Sequence, residues 1–279
     1  MKTYKENIMK PVIDDVTSYI VQNYLSINVF DINDYQPGHS VDCVIFGYQD
    51  QELKILLMKM KFGEFYALPG GFIKINEHID MAAQRVLYDR TGLKDIFLEQ
   101  FYTFGAEKRP SLWDIKNEKG EPLFEQISEV NPELAIWLEK RFMTTGYFAF
   151  VDINKAALSP DIASASCDWV NVANIPELLF DHSFIVQKCL EQIRIQLNYL
   201  PISKSLLPET FTISDVQKLY EAILGIKLVR SNFQRKFLKL DILIRLEKKM
   251  TGASNKAPYL YMFDEEKYNA LLQKGIGLI

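Results

Sequence analysis

A chain of 279 residues is longer than one typical domain, and a hydrophobic share of 48% is ample for buried cores, so two domains are the natural count. No run approaches the roughly 18 apolar residues of a membrane span, and the charged, tyrosine-containing start MKTYKENIMK does not read as a signal peptide, so a cytoplasmic protein with no membrane partner is expected. Cys43, Cys167 and Cys189 are odd in number and sit among apolar residues, while His39, His78 and His182 lack ligand spacing; neither a disulfide framework nor a metal site or cofactor is expected.

The formal charge of -4 is unevenly spread: from Pro201 onward 13 Lys and Arg face 8 Asp and Glu, which leaves the first 200 residues strongly acidic. That asymmetry points to a polyanionic partner for the C-terminal part alone.

Along the chain, Val16, Ile20 and Tyr24 recur at four-residue intervals and predict a helix from about Ile13 to Tyr24 within an N-terminal segment, residues 1–36. Asp31 to Ser40, with Pro37-Gly38, reads as a loop. Strands follow at Val41 to Tyr48, Leu53 to Met60, around Leu98 to Gly105 and Thr144 to Ile153, the first two joined as a hairpin through Asp50-Gln51. A Leu-Pro-Gly-Gly turn and an amphipathic helix from Asp80 to Tyr88 interrupt the strands, so an α+β arrangement is predicted, a mixed sheet with helices on its faces.

Residues 70–93, GGFIKINEHIDMAAQRVLYDRTGL, resemble the Nudix hydrolase signature G-x5-E-x7-R-E-U-x-E-E-x-G-U, with Gly71, Glu77, Arg85, Leu87, Gly92 and Leu93 in register. In that family the glutamates of the helix hold divalent cations through oxygen ligands. Here Val86 takes the place of the first, Asp89 of the second and Arg90 of the third, setting a permanent positive charge where a dication would sit. The resemblance implies a kept scaffold, with a Glu77 to Arg85 pair tying loop to helix and Ala82, Val86 and Leu87 facing the core, and a lost metal-assisted attack of water on a diphosphate. The alternative is an active hydrolase of ADP-ribose or ADP-sugars using Glu77 and Asp89.

Between Arg109 and Arg141 lies a stretch the resemblance does not cover; it is read as an insertion at about 110–141 with one short helix, Pro132 to Lys140, carrying Leu134, Ile136 and Leu138, over the mouth of the pocket or at a subunit contact. LLFDHSFIVQKCLEQIRIQL then starts a helix with Asp181 at its N-cap and Ile185, Cys189 and Ile193 on one stripe. The phrase FDH before a final helix is again similar to the Nudix-like domains of a bacterial regulator family, and closes a domain of residues 37–199.

After a linker with Pro201, Ser203, Ser205 and Pro208, residues 200–279 read as a winged helix-turn-helix. Ser214 caps a helix whose buried face is Val216, Leu219, Tyr220 and Ile223, and Gly225 ends it. A second helix turns Phe233, Phe237 and Leu238 inward and leaves Arg230, Ser231, Asn232, Gln234, Arg235, Lys236 and Lys239 outward, as a helix entering a DNA major groove requires. Leu243 to Leu246, the polar tip KKMTGASNKAP and Tyr259 to Phe263 form the wing, whose Lys248, Lys249 and Lys256 suit phosphates. Asn232 and Arg235 are the residues able to form bidentate hydrogen bonds to adenine and guanine edges.

Both halves together resemble the Nudix-related transcriptional regulators of bacteria. That resemblance implies a homodimer on palindromic operator DNA and a small effector, a sugar such as arabinose or an ADP-ribose-like nucleotide, in the Nudix-derived pocket. Asp42, Lys59, Glu77, Arg85, Arg109 and His182 are the expected effector contacts, while Phe62, Phe65 and Tyr66 are expected to pack in the core, with stacking on a sugar or base as the alternative.

Overall fold

The computed structural model describes residues 31–61, 64–111, 113–116, 120, 122–161, 163–197, 204–249 and 257–274. The helix expected at 13–24, Phe62 and Lys256 lie outside the described residues.

Strand β1 (Tyr35–Gln49) and strand β2 (Glu52–Met60) form the predicted hairpin, with Phe46 opposite Ile55 and Gln49 opposite Glu52. Asp50 and Gln51 both have left-handed backbone, φ 55° and 66°, as a two-residue type I′ turn demands. The expected loop at Asp31 to Ser40 is only half right, because Tyr35 to Ser40 belong to β1 and pair with strand β4 (Gly70–Lys74). Pro37 and Gly38 are accommodated where the register shifts between Tyr35 and Ser40, a position that asks no ladder hydrogen bond of proline.

Strand β6 (Met143–Val151) runs parallel to β1, and strand β5 (Leu98–Phe104) antiparallel to β6. Three strands were not predicted: β4, and β3 (Tyr66–Ala67) and β7 (Ser164–Asn171), the last two both paired to β2. The run SASCDWVN is too polar to announce a strand; it becomes one because β2 offers it a ladder edge.

Alternation along the strands sends successive residues to opposite faces. Val44, Phe46, Ile55, Leu57, Phe148 and Phe150 face one core, closed by helix α4 (His182–Gln196) through Ile185, Val186, Cys189 and Ile193. Cys43, Ile45, Leu56, Met58, Tyr147 and Ala149 face the other, closed by helix α1 (Ile79–Thr91) through Ala82, Ala83, Val86 and Leu87. Three free, buried cysteines lie among these apolar side chains, as their sequence context suggested.

The stretch read as an insertion, about 110–141, holds two helices, α2 (Leu123–Val130) and α3 (Pro132–Glu139), where one was expected. Leu134, Ala135 and Trp137 are buried, whereas Ile136 is 60% exposed, since a helical face repeats every three to four residues rather than every two. Trp137 meets Phe72 of β4 edge-on at 4.8 Å, with Phe142 and Tyr35 beside it, so the insertion covers the strand that leads into the motif helix.

In the C-terminal part, helix α5 (Ile213–Leu224) and helix α6 (Arg230–Lys239) precede the wing strands β8 (Leu243–Lys248) and β9 (Tyr259–Phe263) and helix α7 (Glu265–Lys274). The cap of α5 is Thr212, not Ser214: the Thr212 side chain accepts from the Asp215 N–H, and Asp215 reaches back to the Thr212 N–H, a capping box. Gly225 ends α5 in the left-handed region at φ 70°. The buried face Val216, Leu219, Tyr220 and Ile223 is as predicted, but Leu238 is 37% exposed and only Phe237 of α6 is fully inside. Phe233 stacks on Phe237, and both meet the edge of Tyr220, which leaves no inward place for Leu238. The winged-helix core is continuous with the α4 face of the sheet, and Arg194 of α4 donates to the Ile223 carbonyl at 3.3 Å.

Candidate effector cleft and nucleic-acid interface

The Nudix motif places its charged pair on the loop and helix that flank β4. Arg85 Nε donates to Glu77 Oε1 and Arg85 Nη2 to Glu77 Oε2, both at 2.7 Å, while Nη2 also reaches the Phe72 carbonyl at 2.9 Å. This bidentate pair ties loop to helix, and the Arg85 hydrogen bonds hold the Glu77 carboxyl below its ordinary pKa.

The positions of the family's metal ligands behave differently. Val86 lies in the core against Gly71, Asp89 is exposed, and Arg90 Nη2 pairs with Asp161 Oδ2 at 3.1 Å. The positive charge expected at Arg90 is present and has a partner that the sequence did not indicate: Asp161, 71 residues further on, compensates it. An apolar side chain, a paired arginine and a glutamate held by Arg85 do not fit a divalent cation, which needs several free oxygen ligands. Among the described residues, no group of three or more His, Cys, Asp or Glu is placed to hold a metal ion.

A second polar cluster forms where β1, the turn before β4 and the start of α4 meet. His182 Nδ1 accepts from the Leu68 N–H at 3.0 Å, and Nε2 stands 3.6 Å from Asp42 Oδ1. With Nδ1 occupied as an acceptor, the ring proton resides on Nε2 and points at Asp42. Burial, assisted by the charge of Arg109, lowers the His182 pKa and keeps the imidazole neutral. Arg109 grips the neighbouring Asp181 with two hydrogen bonds, Nε to Oδ2 at 2.7 Å and Nη2 to Oδ1 at 2.6 Å, and Nη1 adds the Phe142 carbonyl at 3.3 Å. Asp181 thus precedes α4 without capping it by side chain, since its carboxylate is spent on Arg109. Gly70 crosses directly over Asp42: a Cβ there would lie 2.5 Å from Asp42 Oδ1.

Asp42, Arg109 and His182 are brought together through Asp181, and Glu77 and Arg85 meet each other along β4. Lys59 pairs with Glu64 at 3.2 Å instead. Phe65 and Tyr66 pack against the two sheet cores. Asp181 and the Leu68 N–H were missed as members of the cluster. The FDH phrase carried a signal for Asp181, whereas a backbone amide has none.

In the C-terminal part, Arg230, Ser231, Asn232, Gln234, Arg235, Lys236 and Lys239 of α6 are all exposed, as are Lys248 and Lys249 of the wing. Arg235 Nη2 lies 3.4 Å from Asn232 Oδ1, linking the two base-reading candidates across one turn. The wing adds a cation absent from the sequence reading. A register shift between Arg245 and Lys248 lets both cover the Tyr259 ring, at 4.7 and 5.5 Å from its centroid.

Residues 204–263 match the family model of the NrtR DNA-binding winged helix domain. Over 246 residues, 85% of this chain and 86% of the relative, the sequence is 26% identical to the ADPR responsive transcriptional repressor NtrR of Acinetobacter baylyi. The fold resembles the crystal structure of Shewanella oneidensis NrtR, with TM-score 0.59 and 23% identity over 83% of this chain and 96% of that one. The same protein complexed with a 27mer DNA gives TM-score 0.58 and 22% identity, over 82% and 95%. A MutT/nudix family protein from Enterococcus faecalis is similar at TM-score 0.57 and 19% identity, over 88% and 93%. The α+β fold is thus a Nudix-like domain joined to a C-terminal winged helix domain, and the resemblance to Nudix-fused regulators is met in both halves.

Proposed function

We propose that this protein is a sequence-specific DNA-binding transcriptional regulator whose Nudix-like half, residues 37–199, binds a small metabolite without hydrolysing it. In this reading, residues 200–279 bind operator DNA. The observation that carries it is the α6 surface: seven polar or basic side chains stand exposed on the second helix of a winged helix that matches a DNA-binding family. Arg235 and Asn232 read base edges, and Arg230, Ser231, Gln234, Lys236, Lys239, Lys248, Lys249 and Lys256 hold register along the backbone. Two such helices spaced roughly 34–36 Å apart in a homodimer span successive major grooves of a palindrome.

The effector we favour is an ADP-ribose-like nucleotide rather than a free pentose, because the Acinetobacter relative is described as ADPR responsive. Asp42, Arg109 and His182, with Glu77 and Arg85 across β4, form its site, the two guanidiniums using only those N–H groups not engaged by Glu77 and Asp181. Such a ligand changes DNA affinity only through unequal binding to the competent and incompetent arrangements. Acting on DNA, the protein works in the cytoplasm.

The test selects duplexes from a random library with the purified protein, then measures binding with and without ADP-ribose. Arg235→Ala is expected to weaken the selected duplex by roughly tenfold or more and relax one base preference; unchanged affinity and preference would remove α6 from the interface. Incubating ADP-ribose with protein and magnesium should yield no nucleoside monophosphate. Steady turnover would establish the hydrolase alternative.

A further inference from the structure

The N-terminus of α6 is not fixed by a cap of its own. Its N-cap residue is Val229, which makes no side-chain cap hydrogen bond, and Val229 and Ile226 in the preceding turn are both largely exposed. A helix that must present side chains to base edges tolerates little tilt, so something outside α6 has to set its entry angle.

Two side chains one turn apart on α5 do this. Gln217 Nε2 donates to the Leu228 carbonyl at 3.0 Å and to Glu221 Oε1 at 2.9 Å. Glu221 Oε1 also accepts from the Leu228 N–H at 2.9 Å, and Oε2 accepts from Lys227 Nζ at 3.0 Å. The backbone of Leu228 is therefore held at both its donor and its acceptor, two residues before α6 begins. The Leu228 amide bond, aided by Gln217 and Lys227, draws the Glu221 pKa down to about 2, so the carboxylate is ionised whenever the protein is folded near neutrality. Glu221 also lines a cavity shared with Gln51 of the β1–β2 turn, which puts it where the Nudix-like half meets the winged helix.

We propose that Gln217 and Glu221 are positioning residues for DNA recognition: as a pair they clamp Leu228 and so aim α6, without touching DNA themselves. This rests on the DNA-binding reading above. A glutamate beside a basic surface, acting by charge alone, repels phosphate, and its removal should tighten binding to every duplex while freeing Lys227 from its ion pair. A clamp predicts the reverse for the specific site.

The experiment uses the full chain as wild type, Glu221→Ala, Glu221→Gln and Gln217→Met, with a duplex selected by the wild type and a scrambled duplex of equal length. Glu221→Ala is expected to lose roughly tenfold or more on the selected duplex, the worth of a misaimed bidentate contact, with unchanged or tighter binding to the scrambled one. Glu221→Gln, which keeps an acceptor for the Leu228 N–H, should retain most of the preference. Gln217→Met keeps side-chain length and loses only the amide, so it decides the matter if Glu221→Ala does not fold; it too should lose preference. Equal tightening on both duplexes, or an undiminished preference in Glu221→Ala and Gln217→Met, overturns the clamp. Amide hydrogen exchange judges the clamp without DNA: Leu228 should be protected in the wild type and exchange faster in Glu221→Ala. A wild type that binds no duplex sinks the DNA-binding reading, whereas an unprotected Leu228 sinks the clamp.

Discussion

Arg109→Met is the most searching perturbation of the cluster around α4. The guanidinium and its partner Asp181 are 14% and 17% exposed, so the pair lies close to the buried limit rather than among surface ion pairs. Truncating one partner leaves the Asp181 carboxylate largely out of water beside the Asp42–His182 contact and also frees the Phe142 carbonyl. Breaking a buried pair costs about 3 kcal/mol, and in a unit of this size that lowers the melting temperature by roughly 6–12 °C. The penalty should vary with pH in a definite direction. Arg109 is one of the influences that hold the His182 pKa down, while Asp42 and Asp181 push it up. Without Arg109, folded His182 takes a proton at higher pH, so the variant loses less stability than the wild type as pH falls below about 6.5. The gap between the two proteins should narrow on acidification. Urea unfolding from pH 5 to 8, with Asp181→Asn and the double variant completing a cycle, measures both effects. An unchanged melting temperature, or a gap that widens in acid, would refute the reasoning.

Other outcomes follow from neighbouring geometry. His182 has a folded pKa below its unfolded value, so its contribution to stability is fully present above about pH 6.5 and declines as pH falls toward the folded value. His182→Gln, which retains an acceptor for the Leu68 N–H, should flatten that part of the stability curve, and an identical slope in the variant would clear His182 of the effect. The Tyr48 hydroxyl is buried with no hydrogen-bond partner among the described residues, and burial beside Asp215 and Glu221 lifts its pKa to about 12. Tyr48→Phe should therefore be neutral or stabilising by about 1 kcal/mol in urea unfolding, since it removes an unmet polar group; a clear loss would mean the hydroxyl has a partner in solution.

Elements with strong periodicity were legible from the residues alone. The β1–β2 hairpin, α1, α4 and the buried face of α5 announced themselves because each carries one apolar set at one spacing. Strands β3, β4 and β7 did not. They are short or polar, and their pairing is decided by the free edges of β1 and β2 rather than by their own side chains. Helix α2 was not legible for a similar reason, since its Ile127 is buried only within the cluster it forms with Leu134, Ala135 and Trp137 of α3.

The site divides the same way. Glu77 and Arg85 are eight residues apart within one motif, and their pairing was implied by the resemblance to the Nudix signature. The Arg109 to Asp181 grip spans 72 residues and the Leu68 to His182 bond 114, distances over which local pattern carries no information.

What the sequence by itself determined was the inventory: a stretch resembling the Nudix signature, in which Val86 and Arg90 stand at positions where that signature has glutamates, and a basic second helix in a winged helix-turn-helix. Only the tertiary structure decided how those charges are spent. Arg90 is compensated by Asp161, Arg109 by Asp181, and the entry to α6 is held from α5 by Gln217 and Glu221. The physical reason is that a residue's type sets which bonds it can make, whereas burial and long-range packing choose the partner that makes them.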